Sequence, residues 1–119
     1  MSTIVVADDE AKIGRMLQDL LEGDGHTVRL ADTTEAAWAL MVHEPPDLLI
    51  TDMKLPPTNG LTLMQQLHAK HPTVPVIMIT GFDDAETEAI AKAAGVKGFF
   101  GKPLNLAEVG DTVRQLLSR

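Results

Sequence analysis

No cysteine occurs in the 119 residues. Disulfides, thiolate metal sites and a cysteine nucleophile are excluded with it. Tyrosine is also absent, and the aromatic set is Trp38, Phe82, Phe99 and Phe100. That is too sparse for a platform on which nucleic-acid bases stack. No apolar run approaches the ~18 residues of a membrane span. No basic stretch followed by an apolar one marks a secretory signal. Basic charge is scarce: 10 Lys and Arg face 17 Asp and Glu, for a net charge of −7. Phosphate backbones demand a basic face, so direct nucleic-acid binding is not expected. These absences fit a cytoplasmic protein that makes no membrane contact. Phosphate-cradling glycine loops are missing as well: neither G-x-x-x-x-G-K-[ST] nor G-x-G-x-x-G follows a strand. A nucleotide-driven kinase or NTPase is disfavoured on that ground. A phosphoryl group handled here would come from another molecule.

The pattern that remains is an alternation. Leu48-Leu49-Ile50-Thr51-Asp52 is a short apolar run ending in a carboxylate, followed by Met53-Lys54-Leu55-Pro56-Pro57-Thr58-Asn59-Gly60, a segment built to turn. Such a run fits a strand buried on both faces of a parallel sheet. Thr3–Ala7, 27–30, 74–80 with Pro75 near its start, and 96–100 read as four more strands.

Helical stripes lie between them. Ile13, Met16, Leu17, Leu20 and Leu21 form the first, stopped by Gly23 and Gly25. Ala36, Ala37, Leu40 and Met41 form the second, opened by an Asp32–Glu35 capping box, with Trp38 partly exposed. Leu63, Met64 and Leu67 form the third, started by Asn59-Gly60. A thinly packed fourth helix runs from about Asp84 to Ala94, burying Ala89, Ile90 and Ala93 and stopping at Gly95. Val109, Val113, Leu116 and Leu117 form the fifth, capped by Asn105 and Glu108. His26, His43, His68 and His71 lack the i, i+4 spacing of a zinc helix and read as loop or surface residues. Five strands alternating with five helices predict a single doubly wound α/β domain over residues 1–119.

In such a sheet the strand ends share one edge, where ligands bind. That edge would gather Asp8, Asp9 and Asp52, with Thr80-Gly81 and Lys102-Pro103 beside them. Taken singly, each has a plain explanation: acids start helices and open turns, a Thr ends a strand, a Lys sits at the surface. Together they have a chemistry. Clustered carboxylates require a cation, and hard oxygen donors select Mg²⁺. Lys102 adds a charge that pairs with phosphate, Thr80 a hydroxyl, and Asp52 a nucleophile of the aspartyl-phosphate type.

These residues, in this order on this pattern, resemble the receiver domain of two-component response regulators across essentially the whole chain. The marks are Asp8-Asp9, Asp52, Leu55-Pro56-x-x-Asn59-Gly60, Thr80-Gly81 and Lys102-Pro103. The resemblance implies a flavodoxin-like, five-stranded parallel sheet in the order 2-1-3-4-5. It implies Asp52 as phosphoacceptor, taking its phosphoryl group from a phosphohistidine on a sensor histidine kinase or phosphotransfer protein. Asp9 and Asp52 are implied as direct Mg²⁺ ligands, Asp8 as a ligand through water, and the Lys54 backbone carbonyl as the third protein ligand. Thr80 and Lys102 correspond to the phosphate-sensing pair and Phe99 to the aromatic switch. Output runs through the face of the fourth helix, fifth strand and fifth helix, to a partner or attached domain, with homodimerisation on phosphorylation a further expectation. Residues 76–84 look more like receivers that precede σ54-dependent AAA+ transcription activators than like chemotaxis receivers.

A turnover phosphotransferase or phosphatase is the competing reading. It usually needs another general acid and a cap. Lys54, not an acid, stands two residues after Asp52, and the expectation is therefore no enzyme beyond self-phosphorylation and slow self-hydrolysis. A flavodoxin-like electron carrier would want flanking aromatics where this chain has acids. A degenerate receiver would have lost some of the site positions that are all present here.

Overall fold

The computed structural model describes residues 2–81 and 85–118. Strands β1 (Thr3–Ala7), β2 (Thr27–Ala31), β3 (Leu48–Asp52), β4 (Val76–Thr80) and β5 (Gly98–Gly101) alternate with helices α1 (Ala11–Gly23), α2 (Thr34–Met41), α3 (Gly60–Lys70), α4 (Ala85–Ala94) and α5 (Leu106–Leu117). The strands form one parallel sheet in the order β2-β1-β3-β4-β5. The doubly wound parallel sheet is the one expected from the residue pattern, and its strand order is the one the resemblance implied. β3 and β4 lie in the interior of the sheet and every residue in them is buried, which is why they read as continuous apolar runs.

The order also distributes the helices. From β1 the chain steps outward to β2, then reverses and crosses to β3, β4 and β5. Right-handed crossovers then place α1 on one face and α2, α3 and α4 on the other. The two cores agree. Ile4, Val6, Ile50 and Ile79 pack with Leu17 and Leu21 of α1 and Val109 and Val113 of α5. Val5, Leu49 and Met78 pack with Met41 of α2, Leu63 and Leu67 of α3 and Ala91 of α4.

Several local expectations shift. α2 is capped by Thr33, whose hydroxyl accepts from Ala36 N–H at 3.0 Å, and Asp32 is left exposed. Asp, Ser and Thr all cap, and the chain's exit from β2 selects the residue one later. Asn59 and Asn105 cap α3 and α5 as expected, accepting from Thr62 and Glu108 N–H. α4 buries Ala91, not the expected Ala89, Ile90 and Ala93, and Ile90 is 51% exposed. With one large apolar residue in an Ala-rich segment, the periodicity could not fix which face turns inward. Asp84, where that helix was placed to begin, lies outside the described residues, as do Phe82 and Asp83. Strand β4 begins after Pro75, whose carbonyl still accepts the Leu49 N–H, and β5 begins at Gly98, after Val96 and Lys97. His68 is half-buried rather than a surface residue, its Nε2 2.8 Å from the Val74 carbonyl where the turn after α3 folds back.

Candidate functional site

The sheet fixes the backbone at its carboxyl edge one residue beyond β1, β3 and β5. Asp8 N–H donates to the Ala31 carbonyl at 3.0 Å, Met53 N–H to Ile79 at 2.8 Å, and Lys102 N–H to Thr80 at 2.8 Å. Asp52 pairs with Ile79 and Thr80 with Gly101. Register alone therefore brings Asp8, Asp52, Thr80 and Lys102 to one edge.

The carboxylates of Asp8, Glu10 and Asp52 lie within 4.8 Å of one another. Asp52 is 5% exposed. Its Oδ1 accepts the Lys54 N–H at 3.1 Å and its Oδ2 accepts from Lys102 Nζ at 2.8 Å. Asp8 Oδ1 accepts the Glu10 N–H at 2.8 Å. Lys102 Nζ stands 3.2 Å from Asp8 Oδ2 but without the alignment of a hydrogen bond, so that buried oxygen has charge contact and no donor. Lys102 also donates to Glu10 Oε1. One ammonium thus faces three carboxylates.

The charge states follow. Burial pushes the Asp8 carboxyl above the ordinary carboxylate range, and the nearby Asp52 charge adds to it; the Glu10 amide and Lys102 offset part of this. Burial pulls Lys102 down, but its hydrogen bonds to Asp52 and Glu10 and the Asp8 charge beside it outweigh that and hold it above the ordinary lysine range. Because the Asp8 value is raised on folding, its favourable contribution is full below the unfolded value and is lost as pH rises through the folded one. At neutral pH the ionised group is held at a cost. Asp8→Asn is therefore expected to raise the thermal midpoint of the metal-free domain at neutral pH by a few degrees, and less so in acid. Calorimetric scans against pH in chelator check this. The same substitution is expected to weaken Mg²⁺ binding.

The donor set fits a hard divalent cation. It is all oxygen, it is over-supplied with negative charge, and Asp8 Oδ2 is buried without a donor. Asp8, Glu10 and Asp52 could hold such an ion. Asp9 is exposed and stands at the rim of the same hollow, of about 340 Å³, with Glu10, Asp52, Lys54, Gly81 and Lys102. Thr80 is buried at the end of β4. Phe99, paired with Met78 in the sheet, is half-buried against the α2–α4 face of the core.

Glu10 is the residue that sequence reasoning left as a helix-start acid. It occupies the N-cap of α1 yet makes no side-chain cap bond, because its carboxylate turns to Lys102. The signal available was its place as third acid in the Asp8-Asp9-Glu10 run.

Known proteins match this chain over nearly its full length. The family model described as "Response regulator receiver domain" matches residues 4–114. The "Response regulator protein PilR" of Pseudomonas aeruginosa is 35% identical over 113 residues, covering 95% of this chain and 25% of PilR. This chain therefore spans about a quarter of that relative. A receiver domain protein from Clostridium thermocellum superposes with a TM-score of 0.91 at 26% identity, covering 100% of this chain and 96% of that one. The receiver domain of NtrX from Brucella abortus superposes at 0.88 with 30% identity, covering 96% and 97%.

Proposed function

Because the chain belongs to the family of response regulator receiver domains, we propose that it is a phosphorylation-activated switch in which Asp52 accepts a phosphoryl group with Mg²⁺. The observation that carries the reading is the Asp52 carboxylate itself. It is held by the Lys54 amide and the Lys102 ammonium in an open hollow, beside two further acids that invite a cation.

The chemistry balances without a nucleotide. An Asp52 oxygen attacks the phosphorus of a phosphohistidine on a sensor kinase or phosphotransfer protein. The P–N bond breaks, the imidazole leaves with the bonding pair and takes up a proton, and an acyl phosphate remains. Water later attacks that phosphorus, restoring the carboxylate and releasing inorganic phosphate. The acidic cluster and the Lys54 backbone carbonyl would hold Mg²⁺, which would supply neutralisation of the phosphoryl oxygens. In the family pattern the direct ligands are Asp9 and Asp52, with Asp8 acting through water. Lys102 shifts from pairing three carboxylates to pairing the new phosphate, and Thr80 offers its hydroxyl.

The readout follows from the packing around those groups. Movement of Thr80 toward the phosphate leaves space into which Phe99 turns. Phe99 carries no phenol oxygen, so its rotation acts through packing alone. α4 suits a moving element: Ala91 is its one fully buried residue among those described. The α4–β5–α5 face then changes shape for an output partner or attached domain, including pairing with a second copy. The resemblance to receivers that precede σ54-dependent activators supports transcription control as the output. Self-phosphorylation and slow self-hydrolysis are the whole of its catalysis in this reading.

The competing reading, a turnover phosphotransferase, separates in one experiment. Incubation with a phosphohistidine-bearing phosphotransfer protein and Mg²⁺ should label this chain to one phosphoryl group per molecule. A phosphomonoester such as p-nitrophenyl phosphate should show no sustained turnover. Many turnovers per chain would replace the switch with an enzyme.

A further inference from the structure

Five polar or charged side chains are buried among the described residues: Asp8, Thr34, Thr51, Asp52 and Thr80. Four belong to the sheet edge that carries the site. Thr34, 3% exposed, is instead the first residue of α2. A buried hydroxyl is costly unless it is hydrogen-bonded. Thr34 Oγ1 lies 3.1 Å from Thr58 Oγ1 and accepts the Thr58 N–H at 3.4 Å. The Thr34 N–H, one of the donors that a helix start leaves over, donates to the Pro56 carbonyl at 2.9 Å.

One residue at the tip of α2 is thus tied by three contacts to the segment 53–60. That segment begins where the Lys54 N–H holds Asp52 Oδ1, and it closes where the Gly60 N–H meets the Met53 carbonyl at 2.9 Å. Between them Pro56, Pro57, Thr58 and Asn59 are exposed. Leu55, 1% exposed, and half-buried Met53 pin the start of the segment to the core, but the exposed stretch 56–59 buries little of its own and gains order from an outside anchor.

We propose that Thr34 is a positioning residue for the chemistry at Asp52: through Pro56 and Thr58 it clamps the segment 53–60 and keeps the Lys54 backbone aligned on the Asp52 carboxylate. The proposal rests on Asp52 being the phosphoacceptor. Thr34 touches neither Asp52 nor the acidic cluster, and it acts through the loop. Its hydroxyl is the part that matters. Thr34→Val retains the bulk and the bond to Pro56 but cannot bond Thr58, whereas Thr34→Ser keeps the hydroxyl.

Three readouts on the parent, T34V, T34S and T58V test it. They are amide hydrogen exchange in the metal-free protein, calorimetric Mg²⁺ titration, and the rate of labelling by acetyl phosphate. In T34V, exchange at Lys54 and Gly60 is expected to accelerate by about tenfold, while Leu49 in the core is unchanged. Mg²⁺ binding and labelling are expected to weaken by about fivefold. T34S should restore all three, T58V, which keeps the Thr58 N–H bond to Thr34, should shift them in the same direction by less, and the double variant should be no worse than T34V alone. Unchanged exchange at Lys54 and Gly60, or an acceleration shared by Leu49, overturns the proposal. A parent that takes no phosphoryl group, with T34V still loosening Lys54 and Gly60, would overturn the phosphoacceptor reading while supporting the clamp.

Discussion

Lys102→Ala is expected to lower the unfolding free energy of the metal-free domain by about 2–3 kcal/mol, because removing one partner of a buried charge cluster leaves the others uncompensated. Nζ stands 2.8 Å from Asp52 and 3.2 Å from Asp8 and also bonds Glu10, with the Lys102 side chain 14% exposed. Without it three carboxylates face one another with no counter-charge. The folded-state value of Lys102 is raised, so its contribution is full below the unfolded lysine value and lost only as pH rises through the folded one. The deficit should therefore be level across neutral pH. Mg²⁺ should restore much of it, since an ion that binds the folded state stabilises by mass action. Urea unfolding with chelator and with Mg²⁺ checks both halves. A metal-free variant as stable as the parent would mean that Lys102 does not neutralise the cluster.

Gly60→Ala is expected to cost about 3 kcal/mol, at the upper end of what overpacking usually does. A Cβ at Gly60 would lie 2.4 Å from the Asp52 carbonyl oxygen and 3.0 Å from Met78 Sδ. The nearer neighbour is backbone and cannot swing away. Whatever moves is either the strand end that carries Asp52 or the start of α3, and the Gly60 N–H to Met53 bond goes with it. Labelling of Asp52 should slow alongside the stability loss. Gly23→Ala is the control: a Cβ there meets nothing within 4 Å. Its stability should stay within about 0.5 kcal/mol of the parent. Equal stability of both variants would show that the approach of α3 to Asp52 is looser than the geometry indicates.

Strand and helix order was legible because the two periods differ so clearly here. β3 and β4 are continuous apolar runs, and α1 and α5 carry clean stripes. The edge residues were legible because a parallel sheet aligns its strand ends, so Asp8, Asp52, Thr80 and Lys102 needed no tertiary guess beyond topology. Four things were not. The buried face of α4 hid among alanines that carry too little bulk to mark it. The cap of α2 shifted from Asp32 to Thr33 because capping residues stand side by side there. Glu10 looked like a solvated helix-start acid, since its bond to Lys102 spans the length of the chain and no local pattern encodes it. Thr34 was invisible for the same reason, because its partners Pro56 and Thr58 belong to a distant loop.

The most direct test is intact-protein mass after incubation with acetyl phosphate, with and without Mg²⁺, on the parent and on Asp52→Ala. The predicted result is a single hydroxylamine-labile phosphoryl adduct on the parent that requires Mg²⁺ and is absent from Asp52→Ala. An adduct that persists in Asp52→Ala would contradict the account, because the acceptor would then be some other residue than the one the sheet edge, the Lys54 amide and Lys102 converge on.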